Sequence, residues 1–265
     1  MEFCSNDLIN ACKNGNLLQL KEISQHMKME QVKSDGNDAF RIACRYGQLQ
    51  VAKLLVDTFK LTITDVKSLN NEAFRFACEN GHLEVAIWLV ENFGFTIKDV
   101  RHANNQMFRN VCANGHLNVL QWLVDTFGLT VEDAKTAKNV AFRYACQHGH
   151  LEVLKWLVYT FEFTIMDVRY ENNFAFCHAC KHQHLGILQF LIENFELSED
   201  DYKQPVFQYR RTLITKACVE EKNEFMVSWF IEKFPNIYIP EECQEFVRKV
   251  QDDNEIMVKP ASLVE

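Results

Sequence analysis

The chain repeats itself at a spacing of 34 residues. FRIACRYGQLQVAKLLV begins at Phe40, FRFACENGHLEVAIWLV at Phe74, FRNVCANGHLNVLQWLV at Phe108, FRYACQHGHLEVLKWLV at Phe142 and the looser FCHACKHQHLGILQFLI at Phe176, without a gap between units. A unit this short cannot enclose a core of its own. Its apolar side must be buried against the units before and after it, which makes the chain a one-dimensional stack. The flanks keep the pattern loosely: LINACKNGNLLQLKEI starts at Leu8, and LITKACVEEKNEFMVSWFIEKF sets Ala217-Cys218 38 residues beyond Ala179-Cys180. End units are expected to be atypical, since each has one neighbour and turns a polar side to water.

Within one unit, Phe74, Ala77 and Cys78 fall at i, i+3 and i+4, one face of a short helix that Gly81 ends. Leu83, Val85, Ala86, Leu89, Val90 and Phe93 follow as a second helix buried on more than one side, stopped by Gly94, or by Gly128 a repeat later, in the manner of a left-handed cap. Each unit therefore reads helix, tight turn, helix, and the fold class is all-α. The Trp88, Trp122 and Trp156 column, continued by Phe190, is expected to pack between repeats; a partner-binding aromatic stripe is the competing reading. Cys44, Cys78, Cys112, Cys146 and Cys180 share one column. Equivalent residues in successive layers lie on the order of 10 Å apart, beyond the ~7 Å Cα limit of a disulfide, so these are read as small buried thiols of a reducing compartment.

Composition narrows the function. A net charge of -8 and a pI near 5.6 argue against general affinity for nucleic acid or an anionic membrane. No apolar run approaches the ~20 residues of a membrane span, and MEFCSNDLINACKNGN has neither a basic-then-apolar leader nor a glycine after its first methionine. A soluble, cytoplasmic protein is expected.

The recurring A-C-x-N-G-H-L-E-V-x-x-W-L-V resembles the ankyrin repeat, A-A-x-x-G-H-L-E-V-V-K-L-L-L, most closely at Asn80-Gly81-His82-Leu83-Glu84-Val85 and Gly149-His150-Leu151-Glu152-Val153. Tetratricopeptide repeats share the period but lack the G-H-L-E-V turn. The resemblance implies an ankyrin-like helical-repeat solenoid over residues 1–235, with units at 5–36, 37–70, 71–104, 105–138, 139–172, 173–206 and 207–235, and with a capping helix and mobile tail in 236–265. It also implies a structural hydrogen bond at His82, His116, His150 and His184, which stand at the family's G-H position.

Two departures carry predictions. The family's T-P-L-H is replaced by Asn-x-x-Phe-Arg, and the recurring Asn37, Asn71, Asn105, Asn139 and Asn173 are expected to cap the first helix by accepting from its free amides. Where the family has a β-hairpin finger, the chain has Thr62-Ile63-Thr64-Asp65 and its equivalents from Thr96, Thr130, Thr164 and Ser198. A hydroxyl followed three residues later by an acid approximates a capping box, so a short capped helix is expected in place of the hairpin.

Residues that might carry chemistry come as ladders. Cys177, His178, Cys180, His182 and His184, with His148 and His150 a layer earlier, include a C-x-x-C half site. Zinc needs four donors converging at one point, and a helix does not converge these, so no metal and no cofactor are assigned. No phosphate-binding loop, G-x-S-x-G or H-E-x-x-H occurs, so no catalytic residue is assigned either and an enzyme is not expected. The basic column Lys67, Arg101, Lys135, Arg169 and Lys203 is either paired with Asp65, Asp99, Asp133, Asp167 and Asp201 or free to receive an acidic partner. Arg41, Arg75, Arg109 and Arg143 stand at the family's histidine position, which implies a structural role. Identity changes from unit to unit at Arg45-Tyr46, Glu79-Asn80, Ala113-Asn114, Gln147-His148 and Lys181-His182, at the end of the first helix, which in ankyrin arrays faces the concave surface. That strip is the candidate site for a protein partner.

The expected function is a protein–protein interaction module, with a structural subunit of a larger assembly as the alternative and a zinc or redox thiol protein behind it. The Asn-x-x-Phe-Arg and Leu-Thr-x-x-Asp variant resembles arrays of amoebae and their giant DNA viruses, which would place the protein in host or virus cytoplasm and in virus–host interaction.

Overall fold

The computed structural model describes residues 4–27, 29–195, 224–233 and 241–258, together with Leu197, Lys222 and Ile239. Helices α1 (Ser5–Asn14) and α2 (Leu17–Ser24) form the first pair, followed by α3 (Met29–Arg45) and α4 (Leu49–Phe59). The pattern then runs through α5 (Ile63–Val66), α6 (Ser68–Glu79), α7 (Leu83–Phe93), α8 (Ile97–Val100), α9 (His102–Ala113) and α10 (Leu117–Phe127). It continues with α11 (Val131–Ala134), α12 (Thr136–His148), α13 (Leu151–Phe161), α14 (Ile165–Val168), α15 (Tyr170–Lys181) and α16 (Leu185–Phe195). The first helices α3, α6, α9, α12 and α15 stack on one another as one layer, and α10, α13 and α16 stack behind them. No strand occurs among the described residues, and none of their helices is long and apolar enough to cross a membrane.

One continuous apolar cluster runs through the stack. Its spine is Phe40, Phe74, Phe108, Phe142 and Phe176, all fully buried. The rings reach forward: Phe40 lies 6.4 Å from Trp88 and Phe74 6.3 Å from Trp122, so these two tryptophans pack between repeats as expected. A unit's own second helix thus buries the phenylalanine of the unit before it.

The capped-helix prediction is met at Thr62, Thr96, Thr130 and Thr164; its fifth place, from Ser198, lies outside the described residues. In α5, α8, α11 and α14 a threonine and an aspartate three residues on form reciprocal capping boxes. The Thr96 amide donates to Asp99 Oδ2 at 2.8 Å, and the Thr130 amide to Asp133 Oδ2 at 2.9 Å. Leu61, Phe95, Leu129 and Phe163, just before each box, are buried and anchor it.

The asparagine prediction needs correction. Asn71, Asn105 and Asn139 end runs of three left-handed residues, as in Leu69 (φ 51°), Asn70 (φ 57°) and Asn71 (φ 62°), rather than adopting the extended backbone of a helix cap. Their amides donate forward instead: Asn71 Nδ2 to Asp99 Oδ1 at 2.8 Å and Asn139 Nδ2 to Asp167 Oδ1 at 3.0 Å. Asn37 Oδ1, which would have to accept in a cap, is buried without a partner. Left-handed backbone costs a non-glycine residue roughly 1–2 kcal/mol, least for asparagine, and the inter-repeat bond offsets it.

The turn between paired helices is an interlock. Gly115 has φ +79°, and a Cβ there would lie 2.4 Å from Nδ1 of His150 in the next repeat. Gly81 stands in the same relation to His116 at 2.5 Å. Glycine is needed twice over, for the backbone and for the neighbour's ring.

At the far end, α17 (Glu224–Lys233), a 3-10 turn at Glu241–Cys243 and α18 (Gln244–Val258) pack together. The final helix continues to Val258, two residues before the helix breaker Pro260. Most of the unit at 207–235 lies outside the described residues.

Gly115→Ala is expected to lower unfolding free energy in urea by about 2 kcal/mol or more, from strain plus clash. Gly128→Ala has φ +63° and nothing within 4 Å, and is expected to cost about 1 kcal/mol from strain alone. Placing Gly115→Ala in a His150→Ala background should bring its penalty down to that of Gly128→Ala; equal penalties with and without His150 would refute the interlock.

Candidate recognition face

The aspartates of the capping boxes also join the layers. Lys67 Nζ lies 3.2 Å from Asp99, Lys135 Nζ 2.7 Å from Asp167, and Arg101 grips Asp133 with two bonds of 2.8 Å. Lys67 further donates to the Gly94 carbonyl at 3.0 Å and sits 4.5 Å from the Phe95 ring centre. The basic column Lys67, Arg101 and Lys135 is therefore engaged inside the array and is not an open stripe for an acidic partner. Arg169 holds the same register; Lys203, with Asp201, lies outside the described residues. Lys33, paired with Asp65 at 2.6 Å, heads the column and was missed, although the 34-residue spacing from Lys67 marks it.

Burial by itself would raise the Asp65 carboxyl. The Lys33 ammonium and the Thr62 amide and hydroxyl outweigh it and hold the group down to about 2. Asp99, Asp133 and Asp167 are lowered against burial in the same way by the preceding unit's cation and their own capping amide.

The turn histidines bond backward. Nε2 of His82 donates to the Arg45 carbonyl at 2.9 Å, that of His150 to Ala113 at 2.8 Å and that of His184 to Gln147 at 3.0 Å. In the first junction Gln48 Nε2 does the same to Lys13 at 3.2 Å. Burial pushes the His116 and His150 imidazoles below the usual histidine range, and neighbouring histidines add to it. The bond expected from the resemblance is thus an inter-repeat bond. Among the described residues no group of three His, Cys, Asp or Glu side chains is placed to hold a metal ion, and Cys177 and Cys180 are buried. Burial pushes the Cys12 thiol up to about 12 and raises Cys44, Cys78, Cys112 and Cys146 as well, which leaves these cysteines protonated and poorly nucleophilic.

What remains for recognition is the outer side of the first helices. Arg45, Tyr46, Asn80, Asn114, His148, Lys181 and His182 are exposed at the helix ends, with Ala113 and Gln147 half-buried beside them. Glu79 is different: it is 8% exposed, Arg75 lies 3.4 Å away, and Asn110 Nδ2 donates to it at 2.9 Å. Its burial makes it a clamp between layers, a correction to its place in the strip. Asn114 divides its roles, since its Nδ2 donates to the Glu79 carbonyl while the residue stays exposed.

A further column was missed. Ile42, Phe76, Asn110, Tyr144 and His178 sit one helical turn before the strip and are half-buried. They occupy the third place of Phe-Arg-x-Ala-Cys, where the sequence varies as much as in the strip; the same signal would have found them. Arg45 lies 4.9 Å from the Phe76 ring centre, and His148 lies 6.1 Å from Tyr144. Together the two columns make a continuous, chemically varied surface on a uniform core.

Acid should unfold the array in two stages. The folded imidazoles of His116 and His150 bind protons less readily than unfolded histidine, near 6.5, so stability is complete above that value and falls as pH drops through it. The aspartates have folded values below the ordinary ~3.9, so their contribution holds above that and is lost on further acidification. Urea midpoints between pH 7.5 and 2.5 check this, with His150→Gln expected to reduce only the first fall. Asp133→Ala, which strands Arg101 and Asn105, is expected to cost about 3 kcal/mol at pH 7.5 in the same assay.

The family described as "Ankyrin repeats (3 copies)" matches residues 8–101 and 143–241. No curated protein matches the sequence. Among solved structures, the human ASB11 ankyrin repeat domain is similar over 78% of this chain and 89% of its own, with 16% identity and a TM-score of 0.56. EF0377, an ankyrin repeat protein, is similar over 73% of this chain and 100% of its own, with 15% identity and a TM-score of 0.50. At these identities the likeness is one of fold.

Proposed function

The chain belongs to the ankyrin-repeat family, and on that footing we propose that it is a non-catalytic module that holds a partner protein on the concave face formed by its first helices. Ankyrin repeats generally serve protein–protein interaction, and one observation supports this face as the surface. The core column Phe40, Phe74, Phe108, Phe142 and Phe176 keeps one identity, while Ile42, Phe76, Asn110, Tyr144 and His178, two residues on, differ in every repeat, and Tyr46, Asn80, Asn114, His148 and His182, a turn further, take three identities. Stacking fixes the first set and leaves the others free. Aromatic and arginine side chains on such a rigid layer are the groups from which binding hot spots are built.

The setting proposed with this function is the cytoplasm of an amoeba or of the host of one of its large DNA viruses, with a role in virus–host interaction. It rests on the Asn-x-x-Phe-Arg and Leu-Thr-x-x-Asp resemblance.

Replacing Tyr46, Phe76, Tyr144 and His148 together by alanine is expected to leave thermal unfolding within a few degrees of the parent and to reduce partner recovery about tenfold or more in affinity capture from cell lysate. The control replaces Tyr159 on α13 and Met166 on α14, both exposed. Equal recovery by the fourfold variant and the parent would rule out this face.

A further inference from the structure

Four of the core phenylalanines are followed by an arginine, and three of these arginines find a carboxylate in one of four registers. Arg41 takes Asp38, three residues back, at 3.0 Å and Glu72, 31 residues on, at 2.7 Å. Arg75 takes Glu72 at 3.3 Å and Glu79, four residues on, at 3.4 Å. Arg143 takes Glu171, 28 residues on, at 2.9 Å. For Arg109 the same four places are Gln106, Val140, Ala113 and Ala137. None is an acid. Its side chain makes one hydrogen bond, from Nη2 to the Ala103 carbonyl at 3.1 Å, and its Nε is buried without a partner. Glu79, in the layer before, is already taken up by Arg75 and Asn110.

The next repeat shows what would complete the site. There Arg143 Nε donates to the Lys138 carbonyl at 3.0 Å, which turns Nη1 to the Glu171 carboxylate. Glu171 stands in left-handed backbone at φ 52°, and Ala137 has the same φ of 52° but ends at Cβ. Arg109, like Arg143, gives one guanidinium N–H to a backbone carbonyl five or six residues back, but Ala137 stands in the place of Glu171, and its own layer and the next carry the varied residues Asn110 and Tyr144.

We propose that Arg109 receives, from an acidic segment of the partner polypeptide, the carboxylate that Glu171 supplies internally one repeat later. This rests on the first-helix face being the docking face. A half-buried guanidinium that has lost water and gained no counter-ion binds a carboxylate more strongly than an exposed one, because part of its desolvation is already complete. Its planar fork also selects Asp, Glu or a chain terminus over a lone carbonyl. Phe76 and Tyr144 offer apolar contact to residues flanking the acid.

The test uses a random dodecapeptide display library selected on the immobilised full chain. Selected peptides are expected to carry an Asp or Glu beside apolar residues, and to lose about tenfold or more in affinity against both Arg109→Gln and Ala137→Glu. Ala137→Glu supplies the missing acid from within, so it is also expected to raise the thermal midpoint by about 2–4 °C, which shows that the loss of binding is not a loss of fold. Peptides without an acid, or peptides that bind the Arg109→Gln variant as they bind the parent, overturn the proposal. If those peptides are still lost on Tyr46→Ala and Tyr144→Ala, the docking face stands and Arg109 falls; if they survive those changes too, both fall.

Discussion

The carboxylate at Asp65, Asp99, Asp133 and Asp167 is where local and long-range structure meet. In each, Oδ2 accepts the amide of a threonine three residues earlier and so closes a four-residue helix. In Asp99, Asp133 and Asp167, Oδ1 accepts the amide of an asparagine in the unit before, and in all four the carboxylate meets that unit's lysine or arginine. A short helix of this length has no stability of its own. It persists because the residue that caps it is held by the neighbouring layer, and the layers hold because that residue is oriented by its cap.

This arrangement explains how the chain dispenses with a hairpin between repeats. The short helix and the left-handed turn after it satisfy the backbone locally, and the turn's strain is offset by the asparagine bond it makes possible. A second joint sits at the opposite end of the first helix, where glycine and the next unit's histidine interlock. With both ends pinned, the middle of the helix is constrained only on its inner side, at Phe, Ala and Cys. Its outer side is free to vary.

The same economy sorts the charges. Cations at the joint are used up in holding the stack, as Lys67 is by Asp99, Gly94 and Phe95. The arginines on the outer helix face are partnered case by case, through whichever register happens to hold an acid. A surface assembled in that way carries information in its exceptions, and Arg109 is the exception among the four arginines of that column.

Much of this was legible in the chain itself. The 34-residue period fixed which residues are equivalent, the apolar spacing from Phe74 to Cys78 and from Leu83 to Phe93 fixed two helices per unit, and Thr96 with Asp99 fixed a third. Those are local or statistical features, and a sequence displays them directly. Which residues touch across layers was decided only in three dimensions. Asn71 donates to Asp99, 28 residues on, Glu79 is clamped by Asn110, 31 on, and His150 reaches Ala113, 37 back. None of these separations equals the period. They depend on how far each layer is shifted against the next, a quantity set by the packing of Phe74 and its equivalents beneath the following second helix. Periodicity names the columns of the array; the offset between layers, which follows from side-chain volume in the core, decides which column meets which.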